Sequence, residues 1–212
     1  MTEPDPRRRR RSSAELRALL LDVARDLFDR HGFQATTTAE ISRKAGVSER
    51  VLFNQFASKS ALFNAAVIAP FVDLVSAYVD EWVEEGGDDT PERRLDRFVG
   101  GLYDLARQHR TALLTALVEH QNGEANELLD QLARALRRMQ TITPEEAYRD
   151  QYRGLDMPAL SADTVGMIFG VALLDDLIFP ARTRRPSRKR LTDEMRTLLL
   201  DGMRHRGPTS AT

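Results

Sequence analysis

Residues 49–54 include four side chains with chemistry suited to reading DNA: Glu49, Arg50, Val51 and Asn54. Such side chains read sequence when the first turns of a helix present them to base edges in the major groove. An arginine there can reach a guanine edge, a contact worth roughly 1–3 kcal/mol of discrimination between bases. The sequence therefore predicts a helix-turn-helix at residues 37–56, with these side chains on its second helix.

Capping and turn residues predict the elements that position these side chains. Thr37-Thr38-Ala39-Glu40 has the pattern of a capping box and starts a helix that runs to about Ala45. Gly46 forms the turn, because a side chain there would face a positive φ or crowd the partner helix. Ser48 can cap the next helix, which runs to about Phe56. A small core would fix the angle between the two helices: Ile41, Ala45, Val47, Leu52 and Phe56.

A first helix and a basic arm precede this motif. Ser12-Ser13-Ala14-Glu15 fits another capping box, and the helix that follows is predicted to end at Gly32. Residues 1–13 are predicted to be a disordered basic arm, and Arg7–Arg11 is either a solvated tail or a segment that contacts phosphates or the minor groove. Its place directly before the first helix favours contact with DNA. Residues 1–65 contain 12 Lys and Arg against 8 Asp and Glu, whereas residues 66–212 contain 19 against 24, which suits a protein that presents one end to a polyanion.

Spaced residues within 14–74 form a more specific pattern: Leu27-Phe28, Gly32-Phe33, Thr36-Thr37-Thr38, Ile41, Ala45-Gly46-Val47-Ser48, Leu52-Phe53, Phe56, Ser58-Lys59 and Leu62. Together they resemble the N-terminal signature of the TetR family of transcription regulators. The resemblance implies that Thr37 or Thr38 and Lys59 contact phosphates, and that Ser48 and residues 50–54 face the major groove. The expected DNA contacts are Thr37, Thr38, Ser48, Glu49, Arg50, Val51, Phe53, Asn54 and Lys59.

The sequence departs from the usual family pattern at three of these positions. Val51, Phe53 and Gln55 stand where the family often has threonine, tyrosine and histidine. The phosphate-binding hydroxyl of that tyrosine is absent, so more of the affinity is expected from Arg50 and from Arg7–Arg11.

The rest of the chain is predicted to be all-α, with residues 75–212 as a ligand-binding and dimerisation domain. A long helix should begin after Ser58 and reach Trp82, and Pro70 should bend or split it. Further helices are predicted at about 91–108, 110–121, 124–140, 161–179 and 188–204, with a loop or short irregular helix over 141–160.

The family resemblance also implies a ligand pocket among the middle helices and dimerisation by the last two. The pocket candidates, each of which could instead be ordinary core, are Phe71, Tyr78, Trp82, Tyr103, His120, Met139 and Tyr148. Helix 161–179 is apolar nearly all round, so one side can face its own domain and the other a partner subunit. The expected interface residues are Val165, Phe169, Leu173, Leu177, Met195 and Leu198, and Gly166 and Gly170 would permit close helix approach.

Three classes of function stay open. The first is a DNA-binding regulator, expected to be a repressor released by a small apolar or aromatic effector. The second is a regulator with a protein partner or no effector, and the third, disfavoured, is a helical-bundle enzyme. The chain has no cysteine, nucleophile elbow, phosphate loop or Glu-x-x-His motif, and no metal or cofactor is expected from its four histidines. No apolar run approaches the ~20 residues of a membrane span, and a cytoplasmic homodimer bound to double-stranded operator DNA is expected.

Overall fold

The computed structural model describes residues 12–83, 90–121, 127–142, 154–181 and 184–204. Within these ranges the chain is helical, without a strand, which confirms the predicted all-α fold. Arg7–Arg11, Tyr148 and His205 lie outside the described residues. The elements in chain order are α1 (Ser13–Ala35), α2 (Thr38–Ala45), α3 (Glu49–Gln55), α4 (Lys59–Phe63), a π-helical turn (Asn64–Ile68), α5 (Ala69–Val83), α6 (Pro91–Gln108), α7 (Arg110–Gln121), α8 (Glu127–Met139), α9 (Met157–Leu173), α10 (Asp175–Ile178) and α11 (Arg188–Arg204).

Helix α1 begins at the predicted capping box, where the Ser12 side chain accepts from Glu15 N and the Glu15 side chain accepts from Ser12 N. As predicted, Gly32 interrupts the first helix, with φ 76° and ψ 178°. The interruption is a kink rather than an end, because helical structure resumes after it and continues to Ala35. The hydroxyl of Thr36 donates to the carbonyl oxygens of Leu27 at 3.1 Å and Gly32 at 2.8 Å, which satisfies groups that the kink leaves free.

Helices α4 and α5 form one long rod through the π-helical turn between them. Pro70 is expected to bend or split this rod, and the irregularity occurs just before it, at Asn64–Ile68. Proline has no N–H to donate to the carbonyl of Ala66, four residues earlier. Arg25 of α1 donates to that carbonyl at 3.3 Å, so the first helix compensates for the proline.

The expectation that no segment could span a membrane needs a correction. Lys59–Trp82 is 24 residues long with a mean hydropathy of 1.7, which suffices by length and composition alone. In this fold the apolar side chains of Phe63, Val67 and Phe71 are fully buried among the other helices. Burial of this kind is typical of the core helix of a globular domain, and such helices can have the same length and mean hydropathy as a membrane span.

The remaining helices pack around this rod. Helix α5 contacts α6 and α8, while α6 also contacts α9 and α11. Helix α9 begins at Met157 rather than at the predicted 161, because the Asp156 side chain accepts from Ala159 N and Pro158 occupies the first turn. It ends at Leu173 rather than at 179, and residues 175–178 form the separate short helix α10.

The break between α9 and α10 is held by ion pairs. Asp175 is completely buried, and its carboxylate pairs with Arg107 of α6 and with Arg185. Asp176 is exposed and pairs with Arg110 at 2.7 Å. Asp175-Asp176 therefore joins α10 to the α6–α7 junction.

Candidate DNA-binding surface

The turn between α2 and α3 has the geometry that a helix-turn-helix needs. Gly46 is left-handed, with φ 69° and ψ 34°, and its N–H donates to the carbonyl of Arg43 at 3.2 Å. Val47 N donates to Ser42 O at 3.0 Å, which closes the end of α2. A residue with a side chain would be strained at Gly46, so this position fixes how α3 leaves the turn.

Helix α3 is oriented by two buried side chains. Leu52 is 0% exposed and Phe56 4% exposed, and both belong to the core that α1 and α2 share. At 100° per residue, Arg50 and Asn54 project from the side of the helix opposite this buried edge. Both are exposed, so the two residues best suited to base edges face outward together.

Several of the expected contact residues form hydrogen bonds within the protein. Thr37 Oγ1 accepts from Glu40 N at 3.1 Å, and Ser48 Oγ accepts from Val51 N at 3.4 Å, so both act as helix caps. Thr38 Oγ1 donates to Glu49 Oε1 at 2.6 Å, which ties the start of α2 to the start of α3. The Glu49 carboxylate thus accepts a hydrogen bond within the protein, on a surface where a free negative charge would repel phosphates.

Lys59 lies at the start of α4, close to α1. Its Nζ is 4.2 Å from the ring centroid of Phe33 and donates to Gln34 O at 3.4 Å. These contacts hold the side chain near the end of α1, on the same N-terminal part of the molecule as α2 and α3. Lys44, another cation of this region, bonds to Asp26 of α1, and this hydrogen bond lowers the pKa of the Asp26 carboxyl.

The beginning of α1 lies beside the end of α3. Arg17 Nη1 donates to Gln55 O at 2.9 Å, and its guanidinium lies 4.2 Å from the Phe56 ring centroid. Gln55 Nε2 also lies 3.3 Å from Ser13 Oγ. Arg17 therefore joins the start of α1 to the end of α3. The sequence did not predict this contact, because the position of Arg17 in α1 does not reveal a partner 38 residues away.

Helix α1 connects this surface to the body of the protein through α7. His109, which precedes α7 and is 1% exposed, places Nδ1 2.9 Å from Asp29 Oδ1. One turn further along α1, a Cβ on Gly32 would lie 2.8 Å from side-chain atoms of Thr115. The backbones of α1 and α7 therefore approach closely at the α1 kink.

The expected pocket residues separate into groups. Tyr78, Trp82 and Met139 line a cavity of about 40 Å³, whereas Phe71 stacks on Phe169 at 6.1 Å and Tyr103 is buried outside that cavity. The side chain of His120 and the whole of Tyr148 lie outside the described residues. A larger groove of about 350 Å³ is lined entirely by apolar residues of α7, α8 and α9: Leu113, Leu117, Leu129, Leu132, Ala133, Leu136, Val165, Phe169 and Leu173.

The expected interface residues also divide. Val165, Phe169 and Leu173 line that groove, and Met195 is buried at 4% exposed. Leu177 is 78% exposed and Leu198 57% exposed. In the part of the chain that the structure describes, no three His, Asp or Glu side chains are grouped to hold a metal ion.

Comparison with known proteins identifies the N-terminal segment. The family model for bacterial regulatory proteins, tetR family, matches residues 20–66. The uncharacterized HTH-type transcriptional regulator YvkB of Bacillus subtilis (strain 168) is 46% identical over 46 residues, which cover 22% of this chain and 24% of that protein. The match therefore spans about a quarter of the length of this curated relative.

Solved structures match nearly the whole chain. A TerR/AcrR family transcriptional regulator from Aquifex aeolicus has a TM-score of 0.63 and 21% identity over 87% of this chain and 97% of its own. NalD, the secondary repressor of the MexAB-OprM multidrug efflux pump in Pseudomonas aeruginosa, has a TM-score of 0.62 and 17% identity, covering 92% of this chain and 98% of its own. The fatty acid degradation regulator FadR from Bacillus halodurans has a TM-score of 0.59 and 18% identity, covering 97% and 100%. At these identities the likeness shows a shared fold.

Proposed function

We propose that this chain is a DNA-binding regulator of transcription of the TetR family, and that it is a cytoplasmic repressor that binds a two-fold symmetric operator as a homodimer. The observation that carries the proposal is that Arg50 and Asn54 are both exposed on the same side of α3, opposite the buried Leu52 and Phe56. This arrangement presents two base-reading side chains on a helix that its own core holds rigidly.

Selection of bound duplexes from a random pool tests the proposal. We expect the full chain to enrich an inverted repeat whose half-sites are one helical turn apart, about 34–36 Å, because two recognition helices related by a two-fold axis must enter adjacent major grooves. Transcription from a promoter that carries the repeat should fall when the protein is added. A pool that shows no enriched sequence after several rounds would refute sequence-specific binding, and increased transcription would show an activator.

We propose that the arm at residues 1–11 adds affinity without sequence preference. Ser13, which follows this arm closely in the sequence, has its Oγ 3.3 Å from Gln55 Nε2 at the end of α3, on the candidate DNA surface. Deleting residues 1–11 should lower affinity for selected and random duplexes alike, and the salt slope should decrease by about 0.9 for each phosphate that the arm neutralises in the wild-type complex. An unchanged slope would make the arm a solvated tail.

The proposed dimer uses the outer faces of α9 and α11. Among the described residues, no atom lies within 4 Å of a Cβ added at Gly166 or Gly170 of α9 or at Gly202 of α11, so these surfaces leave room for a second copy to approach closely. Leu198 lies exposed on α11, and Leu177 follows α9 in α10. Two copies can therefore form a four-helix bundle whose seam contains these small and apolar residues.

Leu198→Arg should convert the dimer to a monomer, because it would place an unpaired charge in that seam. Light scattering measures the mass, and Gln131→Arg, at an exposed position of α8, is the matched control that should remain dimeric. A full dimer in Leu198→Arg at micromolar concentration would place the interface elsewhere.

We further propose that an apolar effector releases the DNA. The apolar groove of α7, α8 and α9 favours an aliphatic ligand, since no polar side chain of the described residues lines it and its volume of about 350 Å³ suits a small molecule. FadR of Bacillus halodurans, a structural neighbour, is by its name a regulator of fatty acid degradation. A medium-chain fatty acid is the first probe, and its binding should change the emission of Trp82, which lines the adjacent cavity with Met139 of α8. Retention of the operator at saturating fatty acid would favour another effector, a protein partner or none.

A further inference from the structure

The exposed ring of Phe53 is a feature of α3 that phosphate binding does not explain. Phe53 is 46% exposed, whereas its neighbour Leu52 is fully buried and Val51 is half-buried. Phenylalanine has no polar atom and cannot bind a phosphate oxygen. If α3 enters the major groove, as proposed above, this ring must contact something apolar there or remain in water.

The position of Phe53 on the helix places it next to the base-reading residues. It follows Arg50 by three positions, so the two side chains are neighbours on the helix surface, with Cβ atoms about 5–6 Å apart. It also directly precedes Asn54. A base pair that Phe53 contacts is therefore the same as, or next to, a pair that Arg50 or Asn54 reads.

The major groove of unmodified DNA offers one apolar group to such a ring. Guanine, cytosine and adenine present hydrogen-bond donors and acceptors there, while thymine alone adds a C5-methyl group. We propose that Phe53 reads a thymine methyl in each half-site, beside the base pair that Arg50 contacts. This inference rests on the proposed base reading by α3 and adds a specificity-determining residue to it.

Replacing single thymines of the selected duplex by deoxyuridine tests the proposal, because this change removes the methyl and keeps every hydrogen bond. Wild-type protein should lose about four-fold in affinity at one thymine per half-site, the factor that follows from roughly 0.8 kcal/mol per buried CH₂-sized group. Phe53→Ala should bind thymine and deoxyuridine duplexes equally at that position. Phe53→Tyr, which keeps the ring, should retain the four-fold preference.

Three outcomes would overturn the inference. Wild-type protein could show no deoxyuridine penalty at any thymine, or the penalty could persist in Phe53→Ala. The deoxyuridine penalty could also disappear in Val51→Ala and persist in Phe53→Ala. That result would assign the methyl contact to Val51. Because Phe53 is half-exposed, Phe53→Ala should unfold near the wild-type temperature, which a thermal melt checks. Failure to select any duplex would refute the function proposed above, whereas these three outcomes refute only the role of Phe53.

Discussion

Arg50→Ala is expected to lower affinity for the selected operator by about 5- to 150-fold, the range that corresponds to roughly 1–3 kcal/mol for a bidentate arginine–guanine contact. Affinity for random DNA should fall much less, because the loss comes from base recognition rather than from charge. The position of Arg50 supports this expectation, since its side chain is exposed at the start of α3. Titrations of both duplexes at several salt concentrations measure the effect.

The matched control for Arg50→Ala is Arg93→Ala, which removes an exposed arginine from the first turn of α6, outside the candidate DNA surface. This variant should bind both duplexes as the wild type does. Equal losses on operator and random DNA in Arg50→Ala would make Arg50 a phosphate contact. Base reading would then rest on Asn54, Glu49 and Val51.

Gly32→Ala is expected to destabilise the protein by about 3 kcal/mol. The backbone at Gly32, with φ 76° and ψ 178°, lies in a region that is essentially restricted to glycine, and strain there costs of order 1–3 kcal/mol. The new Cβ would also lie 2.8 Å from Thr115, and overpacking of this kind costs about 1–3 kcal/mol. For a chain of this size, the melting temperature should fall by roughly 10 °C.

A second substitution separates the two causes. Thr115→Ala in the Gly32→Ala background should recover the part of the loss that comes from the steric contact, while the backbone strain remains. Thr115→Ala alone is the control for that cycle. Unchanged stability in Gly32→Ala would contradict the kinked geometry of α1.

Local signals predicted much of the N-terminal fold. The capping box at Ser12 and the caps at Thr37 and Ser48 form as hydrogen bonds, and Gly46 is left-handed, as the turn requires. These features involve residues within a few positions of one another, so their chemistry is visible in the sequence. The start of α9 was visible too, in Asp156 and Pro158, but residues 141–160 were predicted to form a loop or short irregular helix.

Features that depend on distant residues were not predictable in this way. Gly32 is equally suited to a helix end and to a kink, and the packing of α7 against α1 accompanies the second. The bond between Thr38 and Glu49 requires the angle between α2 and α3. An apolar helix such as α9 also does not indicate which side faces its own chain, and the groove that Phe169 and Leu173 line could not be predicted from the sequence.

Helix α7 contacts both α1 and the apolar groove, so a substitution in α7 can affect both. His109 at its start and Thr115 support α1, while Leu113 and Leu117 line the apolar groove. Substitutions on α7 that change the shape of the groove would therefore also disturb the contacts of α7 with α1. Leu129, Leu132 and Leu136 line the opposite wall from α8, which packs mainly against α5 and has smaller contacts with α4 and the π-helical turn. For the ligand-released regulator proposed above, a library for new inducers should therefore vary these three α8 leucines and keep α7 constant, so that the groove changes while the contacts of α7 with α1 are preserved.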